Sequence, residues 1–247
     1  MISVITPCYN AAATIQATIE SVRAQTYTNW ELIIVDDCSS DQSRRLIREA
    51  AVLDSRIRPI FLTQNSGAAR ARNHALDAAR GRYLAFLDSD DCWKPEKLIR
   101  QLNFMKEKDC AFSFTAYEYV SREGQPLGKL IAAPDQVCYY DMLKNTIVGC
   151  LTVMIDREKT GLFQMPDLRS RQDLATWLTL LKRGFIAYGL NENLAEYRIS
   201  GTESVSGNKW SAAKKTWLVY RRQEQLTLPR ACWYFCHYAA NAIRKHI

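Results

Sequence analysis

Five short apolar runs, each separated from the next by a segment of helical period, restrict the first half of this chain to one class of architecture. The runs are Ile2 to Thr6, Glu31 to Val35, Arg58 to Leu62, Tyr83 to Leu87 and Cys110 to Thr115. Each is too short for a globular helix and rich in Ile, Val, Phe and Tyr, so each reads as a strand. Between them Ile15, Ile19 and Val22 repeat on one helical face; Leu46, Ile47 and Ala50 form a second stripe; Ala68, Ala71, Ala75 and Ala79 a third; Leu98, Leu102 and Met105 a fourth, opened by Pro95 in a favoured first-turn position. The order βαβαβαβαβ predicts an α/β fold with a mostly parallel central sheet flanked by helices.

After Thr115 the alternation weakens through the turn cluster Glu123-Gly124-Gln125-Pro126. Leu151 to Ile155 is a further strand candidate. Leu174, Trp177, Leu178 and Leu181 mark an amphipathic helix that stops at Gly184, where the missing Cβ tolerates a left-handed turn. We divide the chain into residues 1–208, with a nucleotide-binding half over 1–115 and an acceptor half over 116–208, and a helical tail over 209–247.

That division rests on charge. From Lys209 onward there are eight basic residues and one acid, Glu224, which accounts for the whole net charge of +7; residues 1–208 are balanced. The tail also carries Trp210, Trp217, Tyr220, Trp233, Tyr234, Phe235 and Tyr238. Basic and aromatic side chains on amphipathic helices suit the headgroup layer of an anionic membrane. A helical pair packing its aromatics on the domain comes second, and nucleic acid, for which no binding motif is present, is not assigned as a partner.

The uncharged stretch Ala231 to Ile243 falls short of the ~20 apolar residues of a spanning helix. The N-terminus has no basic segment leading into an apolar one, as a secretory signal would. A cytoplasmic protein, peripheral on the inner face of the cell membrane, is expected. The eight cysteines include no pair at the two-residue spacing of a zinc or redox motif and read as reduced thiols. Cys232 and Cys236, one helical turn apart beside His237, read as small apolar residues rather than metal ligands.

In an open α/β sheet, ligands bind beyond the carboxyl ends of the strands. Those ends carry Thr6-Pro7-Cys8-Tyr9-Asn10, Asp36-Asp37-Cys38-Ser39-Ser40-Asp41 and Asp88-Ser89-Asp90-Asp91. Any one of these aspartates reads equally as a turn or helix cap. Jointly they predict an acidic cleft of up to five carboxylates, whose repulsion a divalent metal, Mg2+ or Mn2+, would relieve. Walker and dinucleotide fingerprints are absent, and Thr63-Gln64-Asn65-Ser66-Gly67 lacks their glycine spacing.

These segments, with Gln25-Thr26-Tyr27-Thr28-Asn29-Trp30 ahead of the second strand, Asn65-Ser66-Gly67-Ala68-Ala69-Arg70-Ala71-Arg72-Asn73 and Gly81-Arg82-Tyr83-Leu84-Ala85-Phe86-Leu87, resemble the family-2 glycosyltransferases of the GT-A nucleotide-diphospho-sugar-binding fold. The likeness is dense over the first 115 residues. It implies that Thr6, Pro7 and Tyr9 line a nucleoside pocket, that Asp37 accepts from the N–H of uracil, and that Asp88 and Asp90 form the Asp-x-Asp pair, with Asp90 nearest the metal. Arg72 is assigned to the nucleotide site, steadying the acidic pair or a phosphate; the alternative is an arginine on a helix surface.

In the second half, Arg171-Gln172-Asp173-Leu174 stands where the family places Glu-Asp before a helix, which implies that Asp173 is the catalytic base. A carboxylate at a helix start stays ionised near neutrality and can take a proton from an attacking hydroxyl; the plainer reading is a helix-terminal charge. Two departures are Gln172 in place of an acid and Ser200 where many relatives carry a metal-binding His. The Gln-x-x-Arg-Trp motif of processive synthases is missing, so one sugar per encounter is expected. The implied reaction is inverting transfer of a sugar from a nucleotide-diphosphate donor, a UDP-sugar, to a polyprenyl-diphosphate-linked saccharide in bacterial surface polysaccharide or lipopolysaccharide biosynthesis. A nucleotidyltransferase and an inactive sugar-nucleotide-binding scaffold are the rivals.

Overall fold

The computed structural model describes residues 1–199 and 209–244; Ser200 and the expected boundary at 208 lie outside them. The first half runs β1 (Ile2–Cys8), α1 (Ile15–Arg23), β2 (Trp30–Asp36), α2 (Ser43–Leu53), β3 (Ile57–Phe61), α3 (Ala68–Ala78), β4 (Tyr83–Phe86), β5 (Cys92–Trp93) and α4 (Lys97–Glu107). The second half adds β6 (Phe112–Val120), β7 (Pro126–Ile131), β8 (Gln136–Val137), α5 (Tyr139–Lys144), a 3-10 turn at Cys150–Thr152, β9 (Met154–Asp156), α6 (Arg157–Thr160), α7 (Gln172–Lys182) and β10 (Ala187–Arg198). The tail forms α8 (Lys209–Leu218), a π-helical turn (Val219–Gln223) and α9 (Leu228–Arg244).

One sheet runs through the molecule in the order β3-β2-β1-β4-β9-β6-β10-β5, with β7 paired to β6 and β8 to β10. The pairings β3-β2-β1-β4 and β6-β10 are parallel, and β9 lies antiparallel between β4 and β6. Both faces are covered, which is why the strands read as nearly continuous apolar runs. Ile5, Ile33, Val35, Leu84 and Phe86 face one core, under α3, α5 and α7. Val4, Leu32, Ile34, Ala85 and Leu87 face the other, under α1, α2 and α4. The period of two along each strand thus feeds two cores at once.

Several boundaries differ from the sequence reading. β1 continues through Pro7 to Cys8, all buried. β6 extends to Val120 because Tyr117-Glu118-Tyr119 continues its ladder with β10. Leu151 and Thr152 belong to the 3-10 turn before β9. Pro95 precedes the N-cap Glu96 of α4 instead of sitting in its first turn. Gly184 does end α7 in a positive-φ conformation, at +95°.

The helix α4 buries Lys97 completely; its Nζ has no hydrogen-bond partner and lies 3.7 Å from the centre of the Trp93 ring. Burial pulls this amine well below its ordinary range, and the Trp93 π face is the group it packs against.

The tail is built into the domain. Val219, Tyr220 and Ala231 share the core of α7. The Tyr220 hydroxyl donates to the Leu143 carbonyl, Tyr139 Oη to Glu224 Oε2 at 2.6 Å, and Asn241 Nδ2 to the Lys144 carbonyl at 3.0 Å. Trp217 packs edge-on to Phe235, and Tyr234 stacks on Tyr140. Trp233 stays 61% exposed, and Lys214, Arg221, Arg222 and Arg230 face solvent. Among the described residues no helix is long and apolar enough to cross a membrane.

Trp177 fixes α7 on the sheet, its ring 5.2 Å from Phe86 of β4 and 5.4 Å from Phe112 of β6. Trp177→Ala is expected to cost about 3–5 kcal/mol, read as a lower urea midpoint at unchanged slope. Trp177→Phe keeps a ring there and removes an indole N–H that lacks an acceptor, so it should cost much less.

Candidate active site

The ends of β1, β2 and β4 lie side by side, as the parallel register requires. The second strand delivers Asp36 and Asp37, and both accept hydrogen bonds from the protein. Asp36 Oδ1 accepts from Ser39 N at 3.1 Å and from Arg44 Nε at 2.6 Å. Asp37 Oδ1 accepts from Ser66 N at 2.7 Å and Ser66 Oγ at 3.0 Å, and its Oδ2 from Gly67 N at 2.7 Å. Gly67, at φ +91°, is the N-cap of α3. Asp37 therefore holds the turn that launches α3, and α3 carries Arg72 inward.

Arg72 is buried, not on a helix surface, and its Nη2 donates to Asp88 Oδ1. Its Nε and Nη1 have no partner. Burial opposes the guanidinium charge, but Asp88 first, then Cys150 and Asp173, more than offset it and its pKa is raised. One buried cation thus lies within electrostatic reach of the end of β4 and of the start of α7.

The segment Asp88–Asp91 is pinned from below. Thr14 Oγ1 donates to the Ser89 carbonyl at 2.9 Å and Thr18 Oγ1 to the Asp91 carbonyl at 2.8 Å. Arg198, at the end of β10, donates its backbone N–H to Asp91 Oδ1 at 2.9 Å and its Nε to the Asp90 carbonyl at 2.8 Å. Burial, then the neighbouring Asp88 charge, pushes the Asp90 carboxyl up to about 6. Burial also raises Asp91 well above the carboxylate range, with Asp90 and Asp88 adding to it.

Asp173 lies in the first turn of α7, half-buried, four residues before Trp177 and so on the same helical face. Asp88 follows Phe86 by two residues. The Phe86–Trp177 ring contact therefore sets how the end of β4 and the start of α7 face each other. The residue before, Gln172, is buried, and Arg171 caps the helix at φ +63°.

The five-carboxylate cleft expected from sequence is smaller in the structure. Asp36, Asp37 and Asp91 are buried in hydrogen bonds, and Asp41 accepts from Ala12 N and Ser43 N at 2.9 Å each. Of the strand-end carboxylates Asp88 and Asp90 remain, and the start of α7 adds Asp173. Among the described residues no group of three or more His, Cys, Asp or Glu is placed to hold a metal by protein alone, and Cys232 and Cys236 are exposed free thiols. The pair Asp88 and Asp90 suits Mg2+ or Mn2+, which take one or two carboxylates and leave the remaining positions to phosphate oxygens and water. A carboxyl raised by a like-charged neighbour is one that a cation would relieve.

Thr6 and Pro7 are buried within β1, with Thr6 Oγ1 lacking a partner, and Tyr9 is 52% exposed just beyond its end. Two residues of the site were not assigned from sequence. Cys150, fully buried on the 3-10 turn, lies within electrostatic reach of Arg72, Asp88 and Asp173. Arg198 secures the Asp90–Asp91 backbone. No local pattern in the sequence marks either Arg198, the last residue of β10, or Cys150.

The family model described as glycosyl transferase family 2 matches residues 3–161. The chain belongs to this family. Two relatives align over nearly their whole lengths: the putative teichuronic acid biosynthesis glycosyltransferase TuaG of Bacillus subtilis (strain 168) is 58% identical over 247 residues, 100% of this chain and 98% of its own. The Escherichia coli UDP-Glc:alpha-D-GlcNAc-diphosphoundecaprenol beta-1,3-glucosyltransferase WfgD is 39% identical over 100% of this chain and 95% of its own.

Among solved structures, S. aureus TarS 1-349 in complex with UDP-GlcNAc superposes with a TM-score of 0.69 at 19% identity, over 96% of this chain and 71% of that one. This chain spans 42% of the longer TarS chain. The Pyrobaculum calidifontis mannosyltransferase PcManGT, in complex with GDP-Man and Mn2+, gives 0.69 at 17% identity over 97% of this chain and 73% of its own. At such identities the likeness is one of fold, the α/β GT-A fold. This family-2 glycosyltransferase carries its acidic pair at the end of β4.

The raised Asp90 carboxyl has a definite sign. Between about pH 4 and pH 6 the unfolded chain releases this proton before the folded one does, so stability in metal-free buffer falls as pH rises through that window. Asp90→Asn should flatten that part of the slope and raise the melting temperature at pH 7 in chelator; an identical pH profile in both proteins would remove the assigned burial of charge.

Proposed function

We propose that this family-2 glycosyltransferase moves a sugar, with inversion, from a UDP-sugar to a hydroxyl of a polyprenyl-diphosphate-linked saccharide during assembly of a bacterial surface polysaccharide. The observation that carries the reading is the convergence of Asp88 and Asp173 on the buried Arg72, with Asp90 alongside. The substrate class is supported by the relatives, one named for teichuronic acid biosynthesis and one for glucosyl transfer to GlcNAc-diphosphoundecaprenol.

The nucleoside lies against Thr6, Pro7 and Tyr9. Asp37 Oδ2, which accepts one hydrogen bond from Gly67, keeps a lone pair for the uracil N–H. Asp90, with Asp88, is the pair that would hold Mn2+ or Mg2+, and the ion when bound offsets charge on the departing diphosphate. Arg72 fixes Asp88 and offers its two unpartnered N–H groups as further donors to that charge.

Asp173 takes the proton of the acceptor hydroxyl as its oxygen forms the bond to the anomeric carbon; the bond from that carbon to the diphosphate breaks on the opposite face, and its electrons leave with UDP. The proton then passes from Asp173 to solvent. The exposed cations of the tail, Lys214, Arg221 and Arg230, hold the enzyme at the anionic membrane surface where such an acceptor resides.

Transfer from UDP-sugars to a synthetic lipid-diphosphate-linked saccharide, followed by the stereochemistry of the product, tests the reading; a product of retained configuration would overturn it. Asp173→Asn should lower kcat by at least 100-fold while UDP affinity in Mn2+ stays within about twofold, whereas Asp90→Asn should weaken that affinity. Cutting after Asn208 would remove core residues Val219 and Tyr220, so the surface role is better tested by Lys214→Gln/Arg221→Gln/Arg230→Gln. At about 1 kcal/mol per cation, partition onto phosphatidylglycerol vesicles should fall by roughly two orders of magnitude, with no change on phosphatidylcholine.

A further inference from the structure

A cavity of about 200 Å³ with an almost wholly apolar lining lies between the segment leading into α7 and the tail; Leu168, Leu218, Val219 and the stems of Arg169, Lys215 and Arg222 wall it, and the charged ends of those three side chains belong to its rim. Among the described residues no acid lines it. The two nearest acids in sequence are engaged elsewhere: Asp167 with Arg70 at 2.7 Å, and the buried Glu224 with Lys182 at 3.3 Å and the Tyr139 hydroxyl. Among the described residues Arg169, Lys215 and Arg222 form no ion pair. Three uncompensated cations around an apolar floor are complementary to a polyanion joined to a hydrocarbon.

Size and place narrow the occupant. The cavity is smaller than the ~300–1,000 Å³ of pockets that enclose a whole ligand, so it takes one part of a larger molecule. Ser170 is three residues from Asp173, which limits their Cα separation to about 11 Å even in a fully extended chain. The cavity therefore lies beside the helix start that carries the base.

We infer that this cavity takes the first isoprene unit of the lipid-linked acceptor and that the cations at its rim hold the diphosphate, which brings the sugar attached to that diphosphate toward Asp173. The inference rests on the acceptor class proposed above and adds the residues that read it. Arg169 and Arg222 flank the diphosphate from two separate elements, and Lys215 completes the cationic rim. The apolar floor distinguishes a prenyl diphosphate from a nucleotide diphosphate, which is bound at the strand ends.

The test uses farnesyl diphosphate, farnesol and inorganic pyrophosphate as probes on the full chain. Farnesyl diphosphate should bind at least tenfold more tightly than either of the other two, and Arg169→Ala/Arg222→Ala should abolish that advantage while UDP affinity in Mn2+ reports an intact fold. In transfer assays the same variant should raise KM for a lipid-diphosphate-linked saccharide at least tenfold with kcat nearly unchanged. Equal affinity of variant and parent for farnesyl diphosphate overturns the assignment. So does equal binding of pyrophosphate, which would mark a simple anion site, or displacement by phosphatidylglycerol vesicles as effective as by farnesyl diphosphate, which would mark a general lipid surface. Variant-sensitive farnesyl diphosphate binding in a protein that transfers to no lipid-linked saccharide would support the cavity and sink the proposed reaction alone.

Discussion

A single guanidinium inside the protein balances carboxylates that arrive from different parts of the chain. Arg72 meets Asp88 directly and lies within reach of Asp173, and burying a charge of this kind is tolerable only when it is paired. The strand ends, the start of α3 and the start of α7 are therefore coupled: Asp37 sets the turn before α3, α3 delivers Arg72, and Arg72 draws β4 and α7 to a common point. The aromatic contact of Phe86 with Trp177 supplies the rigid spacing on which this charge arrangement sits. Packing and electrostatics address the same two elements, which is the condition for holding reactive groups in fixed relation.

The first half of the fold was legible because each strand there is buried on both faces and each helix on one, so periods of two and 3.6 survive in the sequence. The second half was not. β10 carries Gly189, Asn191, Glu192 and Asn193, and its ladder with β6 shifts register between Leu190 and Ala195, which erases alternation. α5 has only six residues and is stabilised by the tail that packs on it. At the site, the sequence showed which carboxylates gather at the strand ends but not their hydrogen bonds, and so did not separate Asp36, Asp41 and Asp91, which hold loops in shape, from Asp88 and Asp90. Cys150 reaches the site through a turn whose position depends on β9, which no local pattern reveals.

The tail illustrates how one composition supports two tasks. Its aromatic residues read as membrane anchors, yet Tyr220, Trp217, Tyr234 and Phe235 are engaged in packing. Its cations Lys214, Arg221, Arg222 and Arg230 stay in water. The helices thus contribute core on one side and a positive surface on the other, and the two roles are separable by substitution although they occupy alternate positions of the same turns.

The amine enclosed by α4 and Trp93 gives the folded chain a proton inventory different from the one its composition implies. Between the lowered value of Lys97 and the ordinary 10.5, unfolding captures a proton, so resistance to heat increases with alkalinity across that interval. Within that interval the heat measured on melting includes the ionisation enthalpy of whichever buffer gives up that proton, and scans in two buffers of unlike ionisation enthalpy will disagree by an amount that belongs to the solvent rather than to the protein.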